Sequence, residues 1–148
     1  MSTFPKFLRE FACFDDISDE KIEKIAQFSD AVCYPANTLL FREGDVGTKL
    51  YFLRSGEVEV LFNIGEEGQV RVDTLSSEDI AGCSAIIEPF QYTASERCLT
   101  DVEVLEVDNL ALRELMEKDC PLGLIIQKQV IKMMMKRILD YRMNVLLT

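Results

Sequence analysis

The chain has 148 residues, enough for one domain with its own core, and 48% of them are apolar. The absence of histidine removes Ser–His and Cys–His hydrolysis and the usual metal ligand. Five cysteines without any C-x-x-C pair (Cys13, Cys33, Cys83, Cys98, Cys120) argue against a disulfide scaffold or a zinc knuckle. The formal charge of −10 is unevenly placed, +4 on residues 121–148 and −14 on residues 1–120, so most of the chain repels nucleic acid.

No carboxylate pair stands out against the acidic background, and no catalytic residue is expected. No apolar run is long enough to span a bilayer. The N-terminus, MSTFPKFLREF, lacks the basic-then-apolar order of a signal peptide. The expectation is a cytoplasmic, non-enzymatic protein without a metal.

The first element is a short helix over residues 4–11, with Phe4, Phe7, Leu8 and Phe11 on one face. Ser18 reads as the N-cap of a second helix over residues 19–28, with Ile22, Ile25, Ala26 and Phe28 facing inward. Residues 1–30 are too few to hold a core alone and read as a collar on the domain.

From Ala31 the period changes to two. Strands are expected over residues 31–34, 38–41, 50–53, 58–62, 70–75 and 102–107. They are punctuated by Pro35-Ala36-Asn37, Gly44, Gly47, Ser55-Gly56 and Gly65–Gly68. Short strands at this spacing indicate a β-sandwich or jelly roll, placed at residues 31–108.

The stretch from Leu75 to Cys98 breaks the alternation. An acidic turn, Ser76–Asp79, precedes Ile80-Ala81-Gly82 and a short helical turn at residues 84–87. Pro89 ends that turn, and residues 90–95 read as a strand. A Gly before a small helical turn can aim free N–H groups at an anion. It can equally be a tight crossover that needs Gly82 only for its backbone.

The tail, residues 109–148, reads as helical. Asp108 can cap a helix over residues 110–117, and Pro121 can open a last helix running to Thr148, about 42 Å long. Leu124, Ile131, Ile138 and Val145 recur at sevens, with Gln127, Met134 and Tyr141 three positions after the first three. That seam predicts a parallel homodimer helix over residues 121–148 through Leu124, Ile131, Met134, Ile138 and Val145. A second stripe, Leu122, Ile126, Met133 and Met143, could pack on the chain's own barrel. Packing of one broad face within the chain is the alternative.

Pro35-x-Asn37-x-x-Leu40-Phe41-x-x-Gly44-Asp45-x-Gly47-x-x-x-Tyr51-Phe52-Leu53-x-x-Gly56-x-Val58-x-Val60 resembles the opening of the cyclic nucleotide-binding domain. That family includes the catabolite activator protein and the regulatory subunits of protein kinase A. The resemblance implies a mainly β fold, a β-roll flanked by two N-terminal helices and a long C-terminal helix, without catalysis. It places the phosphate-binding cassette at residues 78–95. In the family's transcription factors a winged helix-turn-helix follows the long helix. None is expected here, where the sequence stops at Thr148.

The family cassette reads roughly Phe-Gly-Glu-x-Ala-Leu and then Arg-Thr-Ala or Arg-Ser-Ala, its Glu holding the ribose hydroxyl and its Arg the cyclic phosphate. Here Cys83 stands at the Glu position and Tyr92 at the Arg position. The candidate ligand pocket is then Gly82, Cys83, Ser84, Ala85, Tyr92 and Thr93. Loss of an Arg–phosphate pair and a Glu–hydroxyl bond is worth on the order of 4 kcal/mol, about a thousandfold in affinity. No firmly bound cofactor is expected, only a weak cyclic nucleotide or other small anion. Cys83 itself is either a redox-sensing thiol activated by the turn's N–H groups or a small apolar filler.

Two function classes follow. One is a ligand-sensing regulatory module that signals through the last helix to an unknown protein effector. The other is a constitutive homodimeric interaction module without a ligand, with docking of the basic last helix as a variant.

Overall fold

The computed structural model describes residues 4–147; the burial of the Phe4 side chain and the placement of Thr148 lie outside what it describes. Eight strands form two four-stranded antiparallel sheets. They are β1 (Ser29–Tyr34), β2 (Leu39–Phe41), β3 (Lys49–Ser55), β4 (Val58–Asn63), β5 (Gln69–Leu75), β6 (Ile80–Ala81), β7 (Ser95–Cys98) and β8 (Val102–Asp108). One sheet has the order β1-β8-β3-β6 and the other β2-β7-β4-β5. Apart from the β4–β5 hairpin, sequence neighbours are divided between the sheets, the pattern of a jelly roll, as expected.

Strands β4 and β5 pair with Val58 opposite Leu75 and Phe62 opposite Val70, with a bulge between Val60 and Leu61. The continuous apolar run Leu50–Leu53 is buried throughout, because β3 is an interior strand between β8 and β6. Leu50, Leu53, Val58, Leu75, Val104 and Leu105 form the centre of the core. Truncating any of these leucines to alanine removes about 2–5 kcal/mol by transfer and cavity terms.

Helices α1 (Phe4–Arg9) and α2 (Asp19–Ala26) cover the β3 end of the core. Ser18 Oγ accepts from the Lys21 N–H, as an N-cap does. Ile22 and Ile25 are fully buried and Phe28 partly so. Between the helices a 3₁₀ turn, Ala12–Phe14, brings Phe11 and Phe14 onto Phe52, with ring centroids 5.4 and 5.0 Å away.

Helix α3 (Asn109–Lys118) starts on Asp108, whose carboxylate accepts from the Ala111 N–H at 2.9 Å. Helix α4 spans Cys120–Leu147. Its start is held by Asp119, which accepts from the Leu122 N–H and pairs with Lys21 at 2.8 Å. Leu122 and Ile126 are buried and Met133 is partly so, but Met143, expected in the same stripe, is 56% exposed. The second stripe stops where the helix runs past the barrel.

Residues 90–95 do not form the expected strand. Their backbone bonds to the loop at residues 42–47 instead: the Gly44 N–H donates to Tyr92 O, Tyr92 N–H to Asp45 O, and Gly47 N–H to Phe90 O. The strand lies further on, at Ser95–Cys98. The helical turn is a 3₁₀ turn at Cys83–Ile86, one residue earlier than expected. Two backbone positions around the cassette need glycine. A Cβ on Gly47 would lie 2.5 Å from Ala85 Cβ, so that loop can approach the turn only without one. Gly82 has φ +79°, and a Cβ there would meet Tyr92 Cε1 and Lys49 O at 3.0 Å.

Candidate functional site

A cavity of about 200 Å³ opens between the Gly82–Ser84 turn, the inner faces of β4 and β7, and α4. Helix α4 contributes Met134, Arg137, Ile138 and Tyr141, spaced i, i+3, i+4 and i+7 on one face. Met134 and Ile138 thus line the cavity and are still 40% and 50% exposed, as Leu124, Ile131 and Val145 of the same seam are exposed. The helix is fastened over the cavity by polar contacts. Tyr141 hydrogen-bonds Asp73 at 3.2 Å, and Arg137 lies 3.9 Å from Asp79 Oδ1 and donates to Ile80 O at 3.5 Å.

Of the residues expected at the pocket, Gly82, Cys83, Ser84 and Thr93 line the cavity. Ala85 and Tyr92 lie behind it. Ala85 is fully buried against Gly47. Tyr92 is 3% exposed and turned into the protein. Its hydroxyl donates to Lys49 O at 2.7 Å and accepts from the N–H groups of Thr48 and Lys49 at 3.2 and 3.0 Å. Its ring stacks on Phe41. This residue closes the crossover between β3 and the cassette and presents nothing to a ligand.

Cys83 is buried and its S–H donates to Ile80 O. Burial pushes the thiol up to about 12, outweighing the nearby Arg137. A thiol so placed is not a thiolate at neutral pH, and the geometry favours the filler over the sensor. The turn is a single 3₁₀ turn of four residues, too short to carry a helix dipole of consequence. Arg97, on β7, is directed to Glu59 at 4.0 Å and does not line the cavity.

Sequence reasoning missed Glu96, Arg137 and Tyr141. Glu96 lines the cavity and is 6% exposed, and its Oε1 has no hydrogen-bond partner. Burial pushes its carboxyl up to about 8, against the lowering effects of Arg137 and the Gly82 N–H; Asp73 and Asp79 push it further up. A buried carboxyl of this kind is held neutral by desolvation rather than paired. The missed strand boundary hid it, since with β7 at residues 95–98 its inward position follows from the register with Val60 and Phe41. The signal for Arg137 and Tyr141 was the i, i+4, i+8 row Met133, Arg137, Tyr141, a polar interruption of an apolar face.

The model of the cyclic nucleotide-binding domain family matches residues 31–119. The cAMP-dependent protein kinase regulatory subunit of Aspergillus niger is 31% identical over 113 residues, which is 76% of this chain and 27% of that protein. The CRP-like cAMP-activated global transcriptional regulator of Mycobacterium tuberculosis is 24% identical over 108 residues, 73% of this chain and 48% of that one. The chain therefore spans about a quarter of the kinase subunit and about half of the regulator. Among solved structures, a putative cyclic nucleotide-binding protein from Geobacter metallireducens superposes with a TM-score of 0.83 at 28% identity, covering 93% of this chain and 99% of that one.

Proposed function

This chain belongs to the cyclic nucleotide-binding domain family, and from that premise we propose that it is a non-enzymatic sensor module whose pocket has little affinity for cyclic AMP. The regulatory role of its relatives supports a regulatory role here. The observation that carries the reduced affinity is the orientation of Tyr92. At the position where the family places a phosphate-pairing Arg, the side chain is turned inward and all its polar capacity is used by the backbone of residues 48 and 49. Cys83, at the position of the family's Glu, offers no acceptor to a ribose hydroxyl. The lining carries one cation, Arg137, beside the buried Glu96.

The module is proposed to work as a homodimer, signalling through α4 to a protein effector in the cytoplasm. Support comes from the exposed row Leu124, Ile131, Met134, Ile138 and Val145. No helix of the described residues is long and apolar enough to cross a membrane. The same row also favours the second reading, a constitutive homodimeric interaction module whose cavity takes no ligand.

Isothermal titration with cyclic AMP tests the first reading. The expected dissociation constant is near millimolar, about a thousandfold weaker than a micromolar site. Micromolar affinity would show that Cys83 and Tyr92 are a working substitution.

A further inference from the structure

We infer that this cavity is built for a small organic cation, an ammonium or amidinium on an apolar body, anchored by Glu96. The inference deepens the reading of a pocket that has lost its preference for cyclic phosphate, and rests on it.

Three observations carry it. The first is the free acceptor. Glu96 is more than nine-tenths buried, lines the cavity, and leaves Oε1 without a partner. A buried carboxyl oxygen without a partner is destabilising, and a ligand carrying N–H donors would supply the bond that Oε1 lacks.

The second is the charge around it. Groups near Glu96 are Tyr51 of β3, Asp73 of β5, Asp79 of the β5–β6 turn, Cys83 of the cassette turn, and Arg137 and Tyr141 of α4. The carboxyl groups outnumber the one guanidinium. Arg137 is engaged with Asp79 and Ile80 O, and its ion pair is not with Glu96. Asp73 and Asp79 stand behind the lining rather than in it, and the field they set up around Glu96 favours a cation over an anion.

The third is the shape of the wall. Phe41, Val60, Phe62, Ala94 and Ile138 are apolar, and the Tyr141 ring stands at the α4 side. Such walls suit a hydrophobic body. A metal ion does not fit, since no group of three metal-ligating side chains exists among the described residues.

The test uses benzamidine as a cationic probe, benzamide as its neutral isostere, and cyclic AMP, titrated into the full chain. Wild type should bind benzamidine at least about tenfold more tightly than benzamide. Its affinity should rise between about pH 6 and about pH 9 as Glu96 gives up its proton, the amidinium staying charged throughout. Glu96→Gln should abolish both the preference and the pH dependence. Arg137→Met, which removes the competing cation, should tighten benzamidine severalfold. These opposite effects separate a site from a folding defect, and thermal melts of both variants confirm the fold. Equal binding of the two probes, no saturable benzamidine binding, or an unchanged Glu96→Gln variant would overturn the cation site. If that happens while cyclic AMP stays weak, only this inference fails. Micromolar cyclic AMP binding overturns the parent reading and this one together.

Discussion

The rings of Tyr92 and Phe41 lie stacked, with centroids 3.8 Å apart and planes 16° from parallel. The pair joins the cassette to β2, and the Tyr92 hydroxyl joins it to the start of β3. Removing the hydroxyl in Tyr92→Phe leaves two N–H groups and one carbonyl of residues 48 and 49 without that partner, and should cost about 2 kcal/mol in urea denaturation. Tyr92→Arg also loses the stacking and should cost more, about 3 kcal/mol, without placing a guanidinium in the cavity. Gain of cyclic AMP affinity by that single substitution would contradict the placement of Tyr92.

Glu96 sets a pH dependence of stability. Its folded-state pKa, about 8, lies above the ordinary carboxylate value of 4.5. The folded chain therefore holds a proton that the unfolded chain has released between those values. Stability from this group is fully present below about pH 4.5 and is lost as pH rises towards 8. Glu96→Gln, which stays neutral, should therefore gain on wild type between pH 5 and pH 9. Urea denaturation of both proteins at the two pH values checks the sign, and a gap that narrows with rising pH would contradict it.

The five cysteines should react in order of exposure. Cys33 and Cys120 are exposed, Cys83 and Cys98 are buried, and burial pushes the Cys13 and Cys83 thiols up to about 12. Brief iodoacetamide treatment of native protein near pH 8 should label Cys33 and Cys120, with Cys83 labelled only after unfolding. Peptide mapping reads the order. Early labelling of Cys83 would restore the redox-sensor reading.

Ile131 is 58% exposed on α4 and does not line the cavity, unlike Ile138. Ile131→Asp is thus the cleaner probe of the proposed dimer. A carboxylate there would be buried in the seam and should cost about 3 kcal/mol or more of association. Sedimentation should show a wild-type dimer at micromolar concentration and a variant monomer. A monomeric wild type would remove the seam from consideration.

Much of the fold was legible because its determinants are local. Ser18 and Asp108 cap helices that begin where their side chains predict, and β4 and β5 pair across the Gly65–Gly68 loop. The cassette was harder for the opposite reason. Tyr92 and its neighbours look like strand formers, yet their backbone partners lie some 45 residues back, in the Gly44–Gly47 loop. No local period reports such a partner. Strand β6 is two residues long, too short to have a period at all. The position-by-position match to the family could not say which way Tyr92 points. Glu96 and Arg137 come together only through the docking of α4, 41 residues away in sequence.

Helix α4 is held at its base against α3 and over the cavity by Arg137 and Tyr141. At the base, Gly123 lets it lie against α3, since a Cβ there would sit 2.9 Å from Met116 O. From Gly123 to Leu147 the helix is about 36 Å long. It is therefore a lever with its fulcrum at Gly123 and the cavity wall under its middle. A tilt of about 10° at the fulcrum would carry the far end through about 6 Å. The displacement beneath Arg137 would be little more than half of that, so a change inside the cavity reaches the tip amplified.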